Sequence, residues 1–345
     1  MANIAVIGAG SWGTALSIVL ADNGHHVRLW GRREQQMTEI NENHTNHQYL
    51  PNITLPKNIV GYTNLQEVLH EVETVLLVVP TKAIRETVKE ISQVSTKPIT
   101  IVHASKGIEP GSSKRISEMI EEEMDENKVK AVLTLSGPSH AEEVSTRQPT
   151  TVTVSSYHLD AAEKVQDLFI NQHFRVYTNS DLIGVELGGA LKNIIALGAG
   201  LIVGLGYGDN AKAALMTRGL AEIARLGVKL GANPLTFAGL SGLGDLIVTC
   251  TSIHSRNWRA GHLLGQGKSV EEVLETMGMV VEGIRTTEAA YFLAKQENVE
   301  MPITQAIYSV VFEKKNPKLA VEELMGRGKK HEVEDLSQFF GSIIS

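Results

Sequence analysis

Cysteine is nearly absent from this sequence: Cys250 is the only one in 345 residues. An intrachain disulfide is therefore excluded, and a reducing cytoplasm is the expected compartment. No activating partner can be identified beside Cys250, so a small buried filler is expected there rather than a nucleophile. An excess of positive charge is also missing. With 32 Lys and Arg against 39 Asp and Glu, the formal net charge is −7, which argues against a nucleic-acid partner. It leaves room for a local basic pocket that takes a small anion. The twelve histidines form no His/Cys cluster at ligand spacing, so no metal is expected. His44 and His47 read as loop residues in an Asn-rich stretch, and His103 as a core histidine. The most apolar stretch, residues 194–207, is short of the ~20 residues that span a bilayer and is rich in glycine, so no membrane insertion is expected. Residues 1–7 lack the basic segment of a secretory signal.

What is present is an ordinary globular composition, 42% hydrophobic and 21% charged, in a chain long enough for two domains. The first half alternates. Apolar β-branched runs at residues 3–7, 26–30, 74–79, 99–103, 131–135 and 150–154 read as strands, with 174–178 as a candidate for one more. Helical patterns at 14–23 and 81–92 lie between them. Continuous apolar strands separated by helices predict a mostly parallel sheet covered on both faces. After about residue 181 helical periodicity takes over. Over 211–230, Leu215, Gly219, Ile223, Leu226 and Leu230 fall on one side, while Arg218, Glu222, Arg225 and Lys229 read as a charged face. Ser269 and Glu272 form a capping box opening a helix over 270–277, another helix fits 286–295, and Asn316-Pro317 looks like a helix start. The expected organisation is an α/β domain over 1–180 and an all-α domain over 181–345.

Gly8-Ala9-Gly10-Ser11-Trp12-Gly13 follows the first strand and leads into a helix. In such a turn the glycines give a tight bend, close approach of the backbone to a pyrophosphate, and close helix–strand packing. The helix N-terminus adds free N–H groups for the phosphates. A G-x-G-x-x-G alone is weak; in this context it predicts a Rossmann-type dinucleotide site. The second strand runs into Gly31-Arg32-Arg33-Glu34. Two arginines there suit a ribose 2′-phosphate, so NADP(H) is the expected cofactor, with NAD(H) usable. In the other reading, Glu34 binds an unphosphorylated ribose.

Farther along, Lys192 shares a helix face with Gly188, Gly189 and Ala196, a stripe where the backbone could approach a small substrate. The plainer reading is tight helix packing with a lysine snorkelling at its edge. Residues 239–245 read as a flexible glycine loop delivering the carboxylate of Asp245. Ser255-Arg256-Asn257 offers hydroxyl, guanidinium and amide, the donors a phosphate ester asks for, although such a triplet is more often a polar loop. Residues 104–107 and 136–141 each follow a strand at its carboxyl end, where open α/β sheets bind ligands.

Seven ordered motifs resemble the bacterial-type NAD(P)-dependent glycerol-3-phosphate dehydrogenases over essentially the whole length: GAGSWG from Gly8, SKG around Lys106, SGPSHAEEV from Ser136, ELGGALKN ending at Asn193, GLSGLGDLIVTCTS from Gly239, SRN at 255–257 and VVEG from Val280. The resemblance implies that Lys192 is the general acid/base for dihydroxyacetone phosphate and sn-glycerol 3-phosphate, with its pKa lowered by burial or by a cation such as Lys106. Asp245 is implied to orient Lys192 or bind glycerol hydroxyls, with Asn193 and Thr249 in support. Ser255, Arg256 and Asn257 would hold the substrate phosphate, and Gly137, Ser139 and Lys106 would also touch substrate. Gly8, Gly10, Ser11, Trp12, Gly13, Arg32, Arg33, Tyr49, Lys106, Ala141, Arg256, Val280 and Glu282 are implied for the cofactor. A homodimer supplying glycerol phosphate for lipid synthesis also follows from the resemblance. A protein that senses dinucleotide without turnover is the competing reading.

Overall fold

The computed structural model describes residues 1–278 and 280–329. The chain forms two compact units. The first comprises Met1–Ser105 and Ile116–Leu182; the second comprises Lys106–Arg115 and the chain from Ile183 onward. The last residues of the sequence-defined second domain, 330–345, lie outside the described residues.

In the first unit, strands β1 (Asn3–Ile7), β2 (His26–Trp30), β3 (Ile59–Tyr62), β4 (Thr74–Leu77), β5 (Ile99–His103), β6 (Val129–Ser136), β7 (Thr150–Ser155) and β8 (Phe174–Asn179) form one sheet. Its order is β3-β2-β1-β4-β5-β6-β7-β8. All neighbouring pairs are parallel except β6–β7, which is antiparallel with Leu135 opposite Val154. The inner strands are buried on both faces. Ile4, Val6 and Leu76 belong to one apolar layer, whereas Ala5, Ile7 and Leu77 belong to the other, so alternate residues feed opposite cores. The sequence gives no clear sign of β3, because four residues interrupted by Gly61 make a weak pattern. That strand lies at an edge, and Gly61 fits tightly under Met37.

The second unit is helical. Its central helix, Leu182–Gly204, is 23 residues long and, by length and composition alone, apolar enough to cross a membrane. The helix is therefore longer than the apolar run at 194–207. Its apolar window is 89% buried within the protein, so the apolarity is used in packing. Glycines let other helices touch it closely: a side chain at Gly200 would collide with the Trp258 carbonyl, and one at Gly261 with the Leu197 carbonyl.

The helix Asp209–Lys229 departs from its sequence reading at Glu222. That residue does not lie on a solvated face; it is 2% exposed. Its carboxylate accepts from the backbone N–H groups of Ile303 (2.6 Å) and Thr304 (3.1 Å) and from the Thr304 hydroxyl (3.2 Å). These are first-turn donors of Pro302–Phe312 that have no partner within their own helix. A helical repeat cannot reveal such a cap, because it comes from a different segment of the chain. Burial pushes the Glu222 carboxyl up to about 7, against the opposing pull of those donors. The capping box Ser269–Glu272 and the Asn316 cap with Pro317 behind it both form as expected.

Candidate active site

The chain between β1 and the helix Ser11–Asp22 is the glycine turn. It stands at the carboxyl end of β1, where the strand order reverses between β2 and β4. Open parallel sheets bind ligands at such a switch point. The three glycines differ in their surroundings. Gly8 has φ +122°, and a Cβ there would meet the Val78 carbonyl oxygen at 2.5 Å; one at Gly13 would collide with the Gly8 carbonyl. At Gly10 nothing lies within 4 Å. The first and third glycines are thus required by the protein's own packing, while the second leaves open space at the helix N-terminus. That helix has no side-chain cap and no acidic residue in its first turn. The turn fits a pyrophosphate: free N–H groups and a positive dipole end face room that a side chain would fill. Gly10→Ala is therefore expected to leave the thermal unfolding midpoint within a few degrees while weakening dinucleotide binding about tenfold or more. Unchanged affinity would remove the turn from the site.

Beyond β2, Arg32 is exposed and pairs with Glu86 at 2.9 Å. Arg33 is braced on several sides. It donates to the Gln48 side chain and to Gln36 Oε1 (3.0 Å), and its guanidinium lies 5.4 Å from the Tyr49 ring centroid. Ser11 donates to the Tyr49 carbonyl (2.9 Å). Glu34, the alternative ribose ligand, is exposed at the first residue of Glu34–Asn43. Trp12 is half-buried beside the turn. Gly137 (φ +148°) follows β6 and packs against Val152, Ser139 donates to the Gly137 carbonyl (3.0 Å), and Ala141 opens the helix Ala141–Ser145.

The second unit gathers the titratable groups. Asp245 is 1% exposed and opens the helix Asp245–Thr251. The residues before it do not form a flexible loop. Leu240–Gly244 is one π-helical turn, and a side chain at Gly242 would collide with the Phe237 carbonyl. The turn also packs against the central helix, where a Cβ at Gly188 would lie 2.5 Å from the Ser241 carbonyl oxygen. The small-residue stripe therefore serves close packing, as the plainer reading holds, yet Lys192 does not snorkel. It is 6% exposed and donates to Asp245 Oδ1 and to the Thr249 hydroxyl (2.8 Å). Thr249 in turn donates to the Asp245 carbonyl (2.6 Å), which fixes its lone pairs toward the lysine. Lys106 reaches the other carboxylate oxygen, Oδ2, at 2.7 Å. It can do so because Lys106–Arg115 belongs to the second unit: Ile108 joins that unit's core, and Arg115 pairs with Glu186 at 2.5 Å.

The charges in this cluster control one another. Burial, opposed by Asp245 and assisted by the Lys106 charge, lowers the Lys192 ammonium to about 8. Burial alone would raise the Asp245 carboxyl; the ammoniums of Lys106 and Lys192 overcome it and hold the carboxyl below the usual carboxylate range. Two cations around one anion, Lys192 and Asp245 buried and Lys106 half-buried, give a local net charge of +1, suited to an oxyanion that develops during a reaction. Nearby, Cys250 is buried and its thiol is pushed up to about 12, so it is inert filler.

Ser255 caps the helix Arg256–Gly265 by accepting from the Trp258 N–H (3.2 Å). The Asn257 side chain is already engaged: it donates to Asn193 Oδ1 (2.8 Å) and accepts from the Gly283 N–H (2.8 Å). It ties three helices together, a role that its place in a polar triplet did not suggest. Arg256 is exposed. It occupies the first helical position, where its own N–H and that of Asn257 lack an intrahelical acceptor. Val280 is half-buried just before the helix Glu282–Gln296, which Glu282 opens.

The family model "NAD-dependent glycerol-3-phosphate dehydrogenase N-terminus" matches residues 3–162, and the corresponding C-terminus model matches residues 181–322. A glycerol-3-phosphate dehydrogenase [NAD(P)+] of Halalkalibacterium halodurans is 70% identical over 336 residues, 97% of each chain. One of Geobacillus kaustophilus is 67% identical, with 99% of each chain covered. Among solved structures, a glycerol-3-phosphate dehydrogenase from Coxiella burnetii superposes with a TM-score of 0.89 at 38% identity, covering 94% of this chain and 98% of that one.

Proposed function

This chain belongs to the NAD-dependent glycerol-3-phosphate dehydrogenase family, and from that premise we propose that it reduces dihydroxyacetone phosphate reversibly to sn-glycerol 3-phosphate with NADPH or NADH. It is an oxidoreductase, and its substrate is a small phosphate ester. The observation that carries the mechanism is the buried Lys192–Asp245 pair with the half-buried Lys106 on the second carboxylate oxygen.

A nicotinamide dinucleotide held at the Gly8–Gly13 turn would supply the hydride for the carbonyl carbon. The chain's own contribution is the proton. Lys192, with its ammonium near 8, gives a proton from Nζ to the carbonyl oxygen and is left neutral; in the reverse direction neutral Lys192 takes the hydroxyl proton back. A pKa near the working pH lets one group do both. Asp245 holds Nζ in place, while Lys106 keeps the ammonium acidic and stabilises the developing oxyanion. The phosphate is held by the Arg256 guanidinium, the Ser255 hydroxyl and the Asn257 Nδ2–H that remains beside its bond to Asn193, together with the backbone N–H groups of Arg256 and Asn257. Gly137 and Ser139 are further substrate contacts on this reading, and Ala141, Val280 and Glu282 cofactor contacts.

The test is the fall in 340 nm absorbance when the protein is mixed with NADPH and dihydroxyacetone phosphate. Oxidation should be rapid with the phosphate ester and negligible with dihydroxyacetone. Arg256→Met should raise KM for the ester on the order of a hundredfold, the loss of a charge-assisted bidentate contact. NADPH binding without oxidation would sink the dehydrogenase reading and leave a dinucleotide sensor. Cytoplasmic location and a role in glycerophospholipid synthesis accompany the reading. So does a homodimer, which light scattering would check.

A further inference from the structure

The Asn-rich stretch after the second helix forms a buried amide network beneath the glycine turn. Asn46 is 0% exposed, and Gln36 is buried too. Gln36 Nε2 donates to the Ala9 carbonyl (2.6 Å) and to Asn46 Oδ1 (3.1 Å). Asn46 Nδ2 donates to the same Ala9 carbonyl (3.1 Å) and to Thr14 Oγ1 (2.8 Å). The remaining Gln36 oxygen accepts from Arg33 (3.0 Å). Each amide has one workable orientation, because turning either would set like groups against each other.

Ala9 is the residue between the two leading glycines. Its carbonyl belongs to the peptide plane that carries the Gly10 N–H, and that plane is rigid and trans. Two donors on the oxygen therefore fix the N–H on the opposite side, at the one glycine with open space before it. The network also organises what lies beyond the turn. The Asn46 carbonyl accepts from the N–H groups of Tyr49 and Leu50, and so shapes the bend that brings Tyr49 beside Arg33.

We propose that Gln36 is a positioning residue that couples the glycine turn to Arg33, so that one amide sets both the pyrophosphate-facing N–H of Gly10 and the arginine that favours a 2′-phosphorylated dinucleotide. Asn46 supports the turn and Arg33 together. Arg32, turned to Glu86 at the surface, has no such support and is not the discriminating arginine. The inference rests on the reading of Gly8–Gly13 as the dinucleotide turn.

The experiment is fluorescence titration of the full-length protein with NADPH and with NADH, with the unfolding midpoint of each variant measured alongside. Gln36→Met should weaken NADPH binding about tenfold and NADH binding only about threefold, so that the preference falls, since each lost hydrogen bond is worth roughly that much. In an Arg33→Met background, Gln36→Met should no longer alter the preference. Asn46→Ala should weaken both nucleotides. If the methionine variant does not fold, Gln36→Glu keeps the size, loses the donor to Ala9 and neutralises Arg33, and the preference should fall again. A merely structural Gln36 would lower the unfolding midpoint and weaken both nucleotides by the same factor; that result overturns the inference. Wild-type protein that bound neither nucleotide would instead overturn the reading of the turn.

Discussion

Replacing Lys192 by methionine is expected to lower kcat in both directions by about 10²–10⁴-fold, the span of general acid–base catalysis, with NADPH affinity nearly unchanged. The side chain is similar in length and apolar, so the packing around the central helix is kept while the proton is lost. The pH dependence of the unaltered protein carries the same claim with a sign. Reduction needs the ammonium, so its kcat should fall as pH rises through about 8. Oxidation needs the neutral amine, so its kcat should rise over the same range. Profiles that ran in the same direction, or a collapse of NADPH binding in Lys192→Met, would remove Lys192 from the proton transfer.

Asp245→Asn should be nearly as damaging, for two separable reasons. The amide leaves the buried Lys192 ammonium without its counter-charge; breaking a buried pair from one side costs about 3–5 kcal/mol, visible as a lower denaturant midpoint. It also removes the influence that raises the Lys192 pKa, while burial and Lys106 still lower it. The high-pH limit of the reduction should therefore move below 8, with kcat reduced roughly a hundredfold or more as Lys192 loses its anchor. Adding Lys106→Met removes one of the two cations and should recover part of the lost stability. A variant with wild-type stability and an unmoved pH limit would show that Asp245 does not govern Lys192.

Much of this was legible in one dimension. Strand and helix repeats are local, so β1, β2 and β5 appear in the sequence at their observed ends, as do the capping box at Ser269 and the Asn316-Pro317 helix start. The glycine turn is legible as well, because its spacing follows from the backbone bend. Local patterns fail where the partner is distant. Glu222 sits in a run of charged residues yet caps a helix eighty residues later. Residues 239–245 look flexible because they are rich in glycine, but Gly242 is needed for contact with Phe237, and Gly188 of the central helix lets that helix pack on Ser241. Asn257 reads as one of a polar triplet and also ties helices together, while Asn46 looks like loop and is buried under the turn.

The sequence by itself determined the alternation of elements, the glycine turn and the identity of the groups able to carry charge. Only the tertiary structure decided which of those groups meet. It seats Lys106 with the second unit, on one oxygen of Asp245, and Lys192 on the other. A side chain's pKa depends on desolvation and on charges within a few ångströms, and residues 106, 192 and 245 become neighbours only when the chain has folded.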